Sequence, residues 1–155
     1  MKTGKNTIVY HPEKSVILDC QIGDNCKIHA PVWIGKNVKI GEGTRVEPFC
    51  FIPEEVEIGK DCFIGPGVMF TNDKYPPAPK KDWKKTIVRN RVTIGAGAVI
   101  LPGITIEEGA FIAAGAVVTR SIPKGELWAG VPAKKRKRKR VKQYGKKHLN
   151  YYSSL

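Results

Sequence analysis

An aliphatic residue returns at every sixth position through most of this chain, and that period constrains the fold more than any other feature of the 155 residues. The column runs Val16, Ile22, Ile28, Ile34, Ile40, Val46, Ile52, Ile58, Ile64 and Phe70, then resumes at Val88, Ile94, Ile100, Ile106, Ile112 and Val118. The step from Phe70 to Val88 is three sixes, so the count stays in phase. Four residues after each column position comes a second set that is small or aliphatic, including Val32, Val38, Thr44, Val56, Val68, Ala98 and Ala116. Neither a helical period of 3.6 nor a strand alternation of 2 produces this pattern. A short strand followed by a turn does. Each hexapeptide then supplies one flat side, and a Gly after the aliphatic residue, or an Asn such as Asn25 or Asn37, eases the corner where φ is positive. Three sides, and so three hexapeptides, make one coil. Coils stacked at about 4.8 Å give, over five or six turns, a prism roughly 25 Å tall with the Ile/Val column inside. The expected fold is all-β, a parallel β-helix of hexapeptide repeats.

Cys20, Cys26, Cys50 and Cys62 all fall in the second column and read as small core residues. Cys20, Cys26 and Cys50 lie on different faces, so they do not converge as metal ligands must. Cys62 shares a face with Cys26 two coils away, roughly 10 Å at the strand spacing and too far for a disulfide. The net charge of +13 is local: residues 134–147 hold ten Lys or Arg and no acid, which leaves the rest near +3. The organisation that follows is a β-helix domain over 1–133, with a projecting loop at 71–87, and a basic tail over 134–155. The first residues lack the basic end, apolar run and cleavage site of a secretory leader, and no stretch has the roughly 18 apolar residues of a membrane span. A cytoplasmic protein is the expectation.

The segment between Phe70 and Val88 breaks the pattern. It places Pro76 and Asp82 where the core needs Ile or Val, and its three prolines remove backbone donors. Such a segment projects from the prism as an ordered loop, and long ordered loops tend to carry function.

The repeat, over about residues 10–133, resembles the hexapeptide-repeat family of left-handed β-helices. The left hand is implied by that resemblance alone, because parallel crossovers are otherwise right-handed. Gly67-Val68-Met69-Phe70-Thr71-Asn72-Asp73-Lys74-Tyr75-Pro76, followed by Ile94-Gly95-Ala96-Gly97 and Gly115-Ala116-Val117-Val118-Thr119-Arg120, is similar to the amino-sugar N-acetyltransferase branch. Gly130-Val131-Pro132-Ala133-Lys134 resembles the exit segment of coenzyme-A-dependent members. The resemblance implies acetyl transfer from acetyl-CoA to the amine of a nucleotide-linked sugar, without a metal, by a homotrimer whose sites lie between subunits. It places the pantetheine arm of the cofactor along the backbone around Ala96 and Ala114, with Thr119 and Arg120 flanking it and Lys134 and Lys137 reaching its phosphates.

The reaction needs an amine to attack the thioester carbon, charge to be held on the former carbonyl oxygen, and a thiolate to leave. Positioning and charge stabilisation dominate such chemistry. A thiol with pKa near 8.5 can take the amine proton itself, so a dedicated base is less necessary than for a hydroxyl acceptor. Relatives that acetylate hydroxyls carry a catalytic His in the projecting loop. This loop has none, and Pro66 stands where some sugar-amine relatives carry His. Asn72 is the catalytic candidate, its amide orienting the amine and steadying charge; the other reading is a turn-stabilising Asn. Asp73 and Trp83 are candidates to line the acceptor pocket, and Lys84 or Lys85 to meet its phosphates.

His29 and Glu47, one coil apart, belong side by side on adjacent coils, either as part of a site facing a neighbouring subunit or as an exposed contact of little worth. No three histidines can gather as a zinc site, which argues against the carbonic-anhydrase branch of the fold. The basic run from Lys134 has no aromatic interleaving and promises only non-specific electrostatics toward nucleic acid. Residues 143–155 read as a short helix or disorder. A non-catalytic scaffold, a sugar O-acetyltransferase and a tail-mediated nucleic-acid binder are the alternatives.

Overall fold

In the computed structural model, which describes residues 1–137, strands of two or three residues alternate with turns and stack into three parallel sheets. We number these faces in chain order. The first face carries Gln21–Ile22, Lys39–Ile40, Val56–Ile58, Thr86–Val88 and Thr105–Ile106, and begins at Lys2–Thr3. The second runs from Ile8–Val9 through Phe63–Ile64, Thr93–Ile94 and Phe111–Ile112 to Leu127–Ala129. Val16–Ile17, Trp33–Ile34, Phe51–Ile52, Met69–Phe70, Val99–Ile100 and Val117–Val118 form the third. The second face thus has seven parallel strands, and the first coil begins at Lys2, ahead of the point where the aliphatic period becomes legible.

Two side-chain columns fill the interior. Ile28, Ile34, Ile52, Ile64, Ile94, Ile100, Ile106 and Ile112 are completely buried, as are Cys26, Val38, Val68, Ala98 and Ala116 from the second column. The second column also explains its own mixture of residues. Cys26 Sγ, Thr44 Oγ1 and Cys50 Sγ donate to the carbonyls of Gly41, Gly59 and Gly65, each 15 residues ahead on the next coil. Cys62 makes the same bond to the Arg89 carbonyl, which lies further along the chain only because the loop intervenes. Cys and Thr interchange here because each offers a small side chain with one hydrogen to give. All four cysteines are free and buried. Burial pushes the Cys50 thiol up to about 11.

Val16 does not point inward. It is 49% exposed, and its neighbour Ile17 takes the core position, opposite Ile34. The shift arises between Ile17 and Ile22, a step of five residues where the partner coil takes six, while the 3-10 turn Pro12–Lys14 lengthens the preceding step from Val9 to Ile17 to eight. Ile17 falls one position short of a full coil step from Ile34, whereas Thr3 and Val9 fall one position beyond it from Ile22 and Ile28. The loop also ends sooner than the proline pattern implies. Thr86–Val88 is already a strand on Val56–Ile58, with Ile58 paired to Val88. A normal step is three hexapeptides, as from Ile22 to Ile40, and this one is five, so the loop is an insertion of two hexapeptides' length at one corner and replaces no coil.

Glycines after the core aliphatics serve close approach. A Cβ on Gly41 would lie 2.6 Å from the Gly59 carbonyl carbon of the next coil. Positive φ belongs to a different turn position, occupied by Asn25 (56°), Asn37 (60°) and Gly109 (67°). At the C-terminal end Lys134–Arg136 turns back antiparallel on Leu127–Ala129, so the first residues of the basic segment are part of the stacked sheet. The expectation for residues 143–155 lies outside the described residues. Among the described residues no helix is long and apolar enough to cross a membrane.

The two glycine classes are separable by substitution. Gly41→Ala should destabilise by about 1–3 kcal/mol, the range for overpacking. Gly109→Asn, at an open corner with nothing within 4 Å, should stay within about 0.5 kcal/mol of wild type in the same denaturation series.

Candidate functional site

The candidate residues divide between two corners of the prism. Asn72 follows the third-face strand Met69–Phe70 and stands at the corner leading to the first face. Its Nδ2 donates to the Glu54 carbonyl at 3.2 Å, and its backbone carbonyl accepts the Lys84 N–H at 2.9 Å, so it closes the base of the loop. Among the described residues no donor meets Asn72 Oδ1, which leaves that oxygen to accept an N–H and aim an amine. Both carboxylate oxygens of Asp73 are used inside the loop, accepting from Tyr75 N–H at 3.0 Å and Ala78 N–H at 2.7 Å. Trp83 is half-buried, and its indole N–H is buried with no acceptor among the described residues. The Lys80 ammonium stands 5.7 Å from the Trp83 ring centre and pairs with Glu54. Lys84 is exposed and lies against Gly103. Lys85 binds Glu57 at 2.8 Å and, with Lys39, holds that carboxyl below the usual carboxylate range. Arg120 is exposed at this same corner two coils beyond Asn72, its guanidinium 5.0 Å from the Trp128 ring centre.

Ala96 and Ala114 stand at the corner between the second and third faces, exposed and on adjacent coils. With Pro66 one coil below, they form a strip of small residues against which an extended chain can lie close to backbone. Lys134 and Lys137 are exposed at the C-terminal end of the stack, Lys134 opposite Ala129 in the antiparallel pair. Thr119 is exposed beside Arg120. A single chain does not bring Asn72 beside Ala96 and Ala114; the third face separates them. That face is apolar at every rung, with Val16, Trp33, Phe51, Met69, Val99 and Val117 in outward positions and Trp33 stacked on Phe51 at 4.8 Å.

Below Pro66, the same second-to-third corner opens into a groove of about 730 Å³. Tyr10 stacks on His29 there, ring centres 4.6 Å apart and planes within 13°. Glu47 pairs with Arg45 beside them. Burial holds His29 below the usual imidazole range, against the opposing pull of Glu47. The sequence pairs His29 with Glu47 but does not pick out Tyr10, Lys27 or Arg45. The one-coil step from Lys27 to Arg45 is a usable signal; Tyr10 is hidden because its coil is one position longer. Among the described residues no group of three His, Cys, Asp or Glu is placed to hold a metal ion.

Comparison with known proteins gives three kinds of match. The family described as bacterial transferase hexapeptide (six repeats) matches residues 19–48, 37–72 and 85–120. A galactoside O-acetyltransferase of Lactococcus lactis is 30% identical over 141 residues, covering 81% of this chain and 68% of its own. A 2,3,4,5-tetrahydropyridine-2,6-dicarboxylate N-acetyltransferase of Staphylococcus aureus is 41% identical over 76 residues, 49% of this chain, and the match spans only 30% of that relative. Among solved structures, AntD, an N-acyltransferase from Bacillus cereus in complex with dTDP and 3-hydroxybutyryl-CoA, superposes with a TM-score of 0.77 at 24% identity, over 89% of this chain and 84% of AntD.

His29 supplies a pH test of the groove. A lowered folded-state pKa means that the unfolded chain takes up the proton first, so stability is lost as pH falls below the ordinary value of 6.5. Between pH 7.5 and pH 5 the melting temperature of wild type should fall further than that of His29→Gln; equal falls would contradict the burial assigned to the ring.

Proposed function

Because the chain belongs to the bacterial transferase hexapeptide family, we propose that it is an acetyl-CoA-dependent acetyltransferase acting on the amine of a nucleotide-linked sugar, as a homotrimer with its sites between subunits. The observation that carries this reading is the division of the candidate residues across two corners that flank one apolar face. When three prisms turn such a face toward a common axis, the loop corner of each meets the small-residue corner of the next. Asn72 of one subunit then stands beside Ala96 and Ala114 of its neighbour. The exposed strip fits a pantetheine arm, which needs backbone access and little side-chain bulk, and Thr119, Arg120, Lys134 and Lys137 are all exposed toward the C-terminal end, where its phosphates would lie. Lysine supplies charge there without the bidentate fork of arginine. Asn72 orients the amine through Oδ1, Trp83 offers its unpaired N–H to the acceptor, and Lys84 meets an acceptor phosphate. Asp73 supports the reading by fixing the loop through both its oxygens.

The Lactococcus relative favours a second reading, acetyl transfer to a sugar hydroxyl. A hydroxyl needs proton removal as it attacks, and a base must be within hydrogen-bond reach. The loop holds no histidine to serve as that base. An amine is therefore the better-matched nucleophile.

Acetyl-CoA should raise the melting temperature, by an amount equivalent to about 2.7 kcal/mol at a hundredfold excess over Kd. Arg120→Ala should weaken that binding roughly tenfold, as expected for losing one charge-assisted hydrogen bond. No binding at millimolar acetyl-CoA would leave the scaffold reading in its place.

The shared site makes a separate prediction. Light scattering should give about three times 17.2 kDa. Asn72→Ala and Ala114→Trp chains, each inactive alone, should regain activity when unfolded and refolded together, since some mixed sites then carry neither substitution. A 17.2 kDa monomer with full activity would end the shared-site reading.

A further inference from the structure

The groove below Pro66 is not used by the acetyl-transfer chemistry, yet it is built from groups that recognise a ligand. We propose that it is the subsite for the nucleoside end of the acceptor, with the base lying on the Tyr10–His29 platform and the phosphates turned toward Lys27. This inference rests on the reading of the acceptor as a nucleotide-linked sugar and assigns the residues that distinguish it from a free sugar.

Four observations carry it. The volume, about 730 Å³, lies within the range of small-molecule sites. Two rings stacked at 4.6 Å form a rigid flat surface at one end, and every nucleobase has a face that stacks on such a surface. His29 Nε2 is buried with no hydrogen-bond partner among the described residues, an arrangement that an incoming N–H, O–H or carbonyl would satisfy.

The fourth is charge. Among the described residues no carboxylate pairs with Lys27, although Glu47 lies in the same groove, because Glu47 is taken by Arg45. Lys27 lines the groove and is half-buried there, where water screens it least. Arg45 already neutralises Glu47, whose side chain remains 14% exposed and whose carboxylate can accept from a vicinal diol or a base N–H. A ligand with an aromatic ring, a diol and a neighbouring phosphate uses every one of these groups.

Placement supports the same assignment. His29, Glu47 and Pro66 occupy successive coils of one corner, and Ala96 and Ala114 continue it. A ligand anchored at Tyr10 and His29 and running toward the C-terminal end reaches Pro66 after about two coil steps, roughly 10 Å. There it meets the lower end of the strip assigned to the cofactor arm. The two substrates approach the reacting centre from opposite ends of a single edge.

Calorimetric titration of the intact protein with UDP, dTDP and GDP, each alone, tests the assignment. At least one should bind saturably. Tyr10→Ala and Lys27→Gln should each weaken it tenfold or more, Tyr10→Phe should keep it, and acetyl-CoA affinity should be the same in all three variants. Nucleotide binding that ignores both substitutions, or no nucleotide binding by a protein that takes up acetyl-CoA, overturns the groove assignment and leaves acetyl transfer standing. Nucleotide binding without any acetyl-CoA binding keeps the groove and overturns the transferase reading. If Tyr10→Ala dissociates the assembly, measured by light scattering, and loses nucleotide only for that reason, Lys27→Gln decides: retained binding makes the groove an interface between copies and not a subsite.

Discussion

Everything in this molecule depends on the backbone of each coil bonding to the backbone of the next. Lys39 to Gly41 lies on Glu57 to Gly59, which lies on the residues from Ile87, and at each step an N–H of the lower coil finds a carbonyl of the upper one. Where the coils approach most closely there is no room for a side chain between turns, and Gly41 and Gly65 face backbone atoms under 3 Å from where a Cβ would sit. The ladder also confines variation to the corners. The insertion after Phe70 leaves the register on all three faces unchanged, so a loop can be added without disturbing the core.

Much of this is legible in the period of six, because a solenoid repeats its environment and therefore its residues. The buried columns, the four buried cysteines and the projecting loop follow from spacing alone. Periodicity misplaces Val16 because it is counted along the sequence, whereas the fold counts along the coil; the five-residue step from Ile17 to Ile22 puts the two out of step by one position. The opening coil is hidden for a related reason, since its inward positions, Thr3 and Val9, are at an end of the stack and carry less aliphatic bulk. The site is harder to read. Asn72, Ala96 and Arg120 stand out as motif residues, but spacing does not say that the third face lies between Asn72 and Ala96. Nor does it show that Asp73 commits both its oxygens to the loop.

The chemistry assigned here asks little of any ionisable side chain. Burial lowers the pKa of His29, which lies two coils from Pro66, and the glutamates near the loop, Glu54 and Glu57, are tied to Lys80 and Lys85. What the protein supplies is geometry: an amide fixed by its own hydrogen bond, a strip of alanines, and a loop tied down at both ends. Such a site suits a nucleophile that is reactive without help, which is why we propose an amine.

The antiparallel strand Lys134–Arg136 carries a consequence for the molecule as a material. A parallel coil stack has an open top edge, and a second copy that continued it would turn an enzyme into a growing fibre. Here the last edge of the second face is covered by a strand running the wrong way for another coil to add, and its side chains are all cationic and exposed. On that face the addition of a coil is opposed twice, by direction and by charge. The residues that cap this face include Lys134, which we propose meets the cofactor, so one short turn of chain would serve both ends.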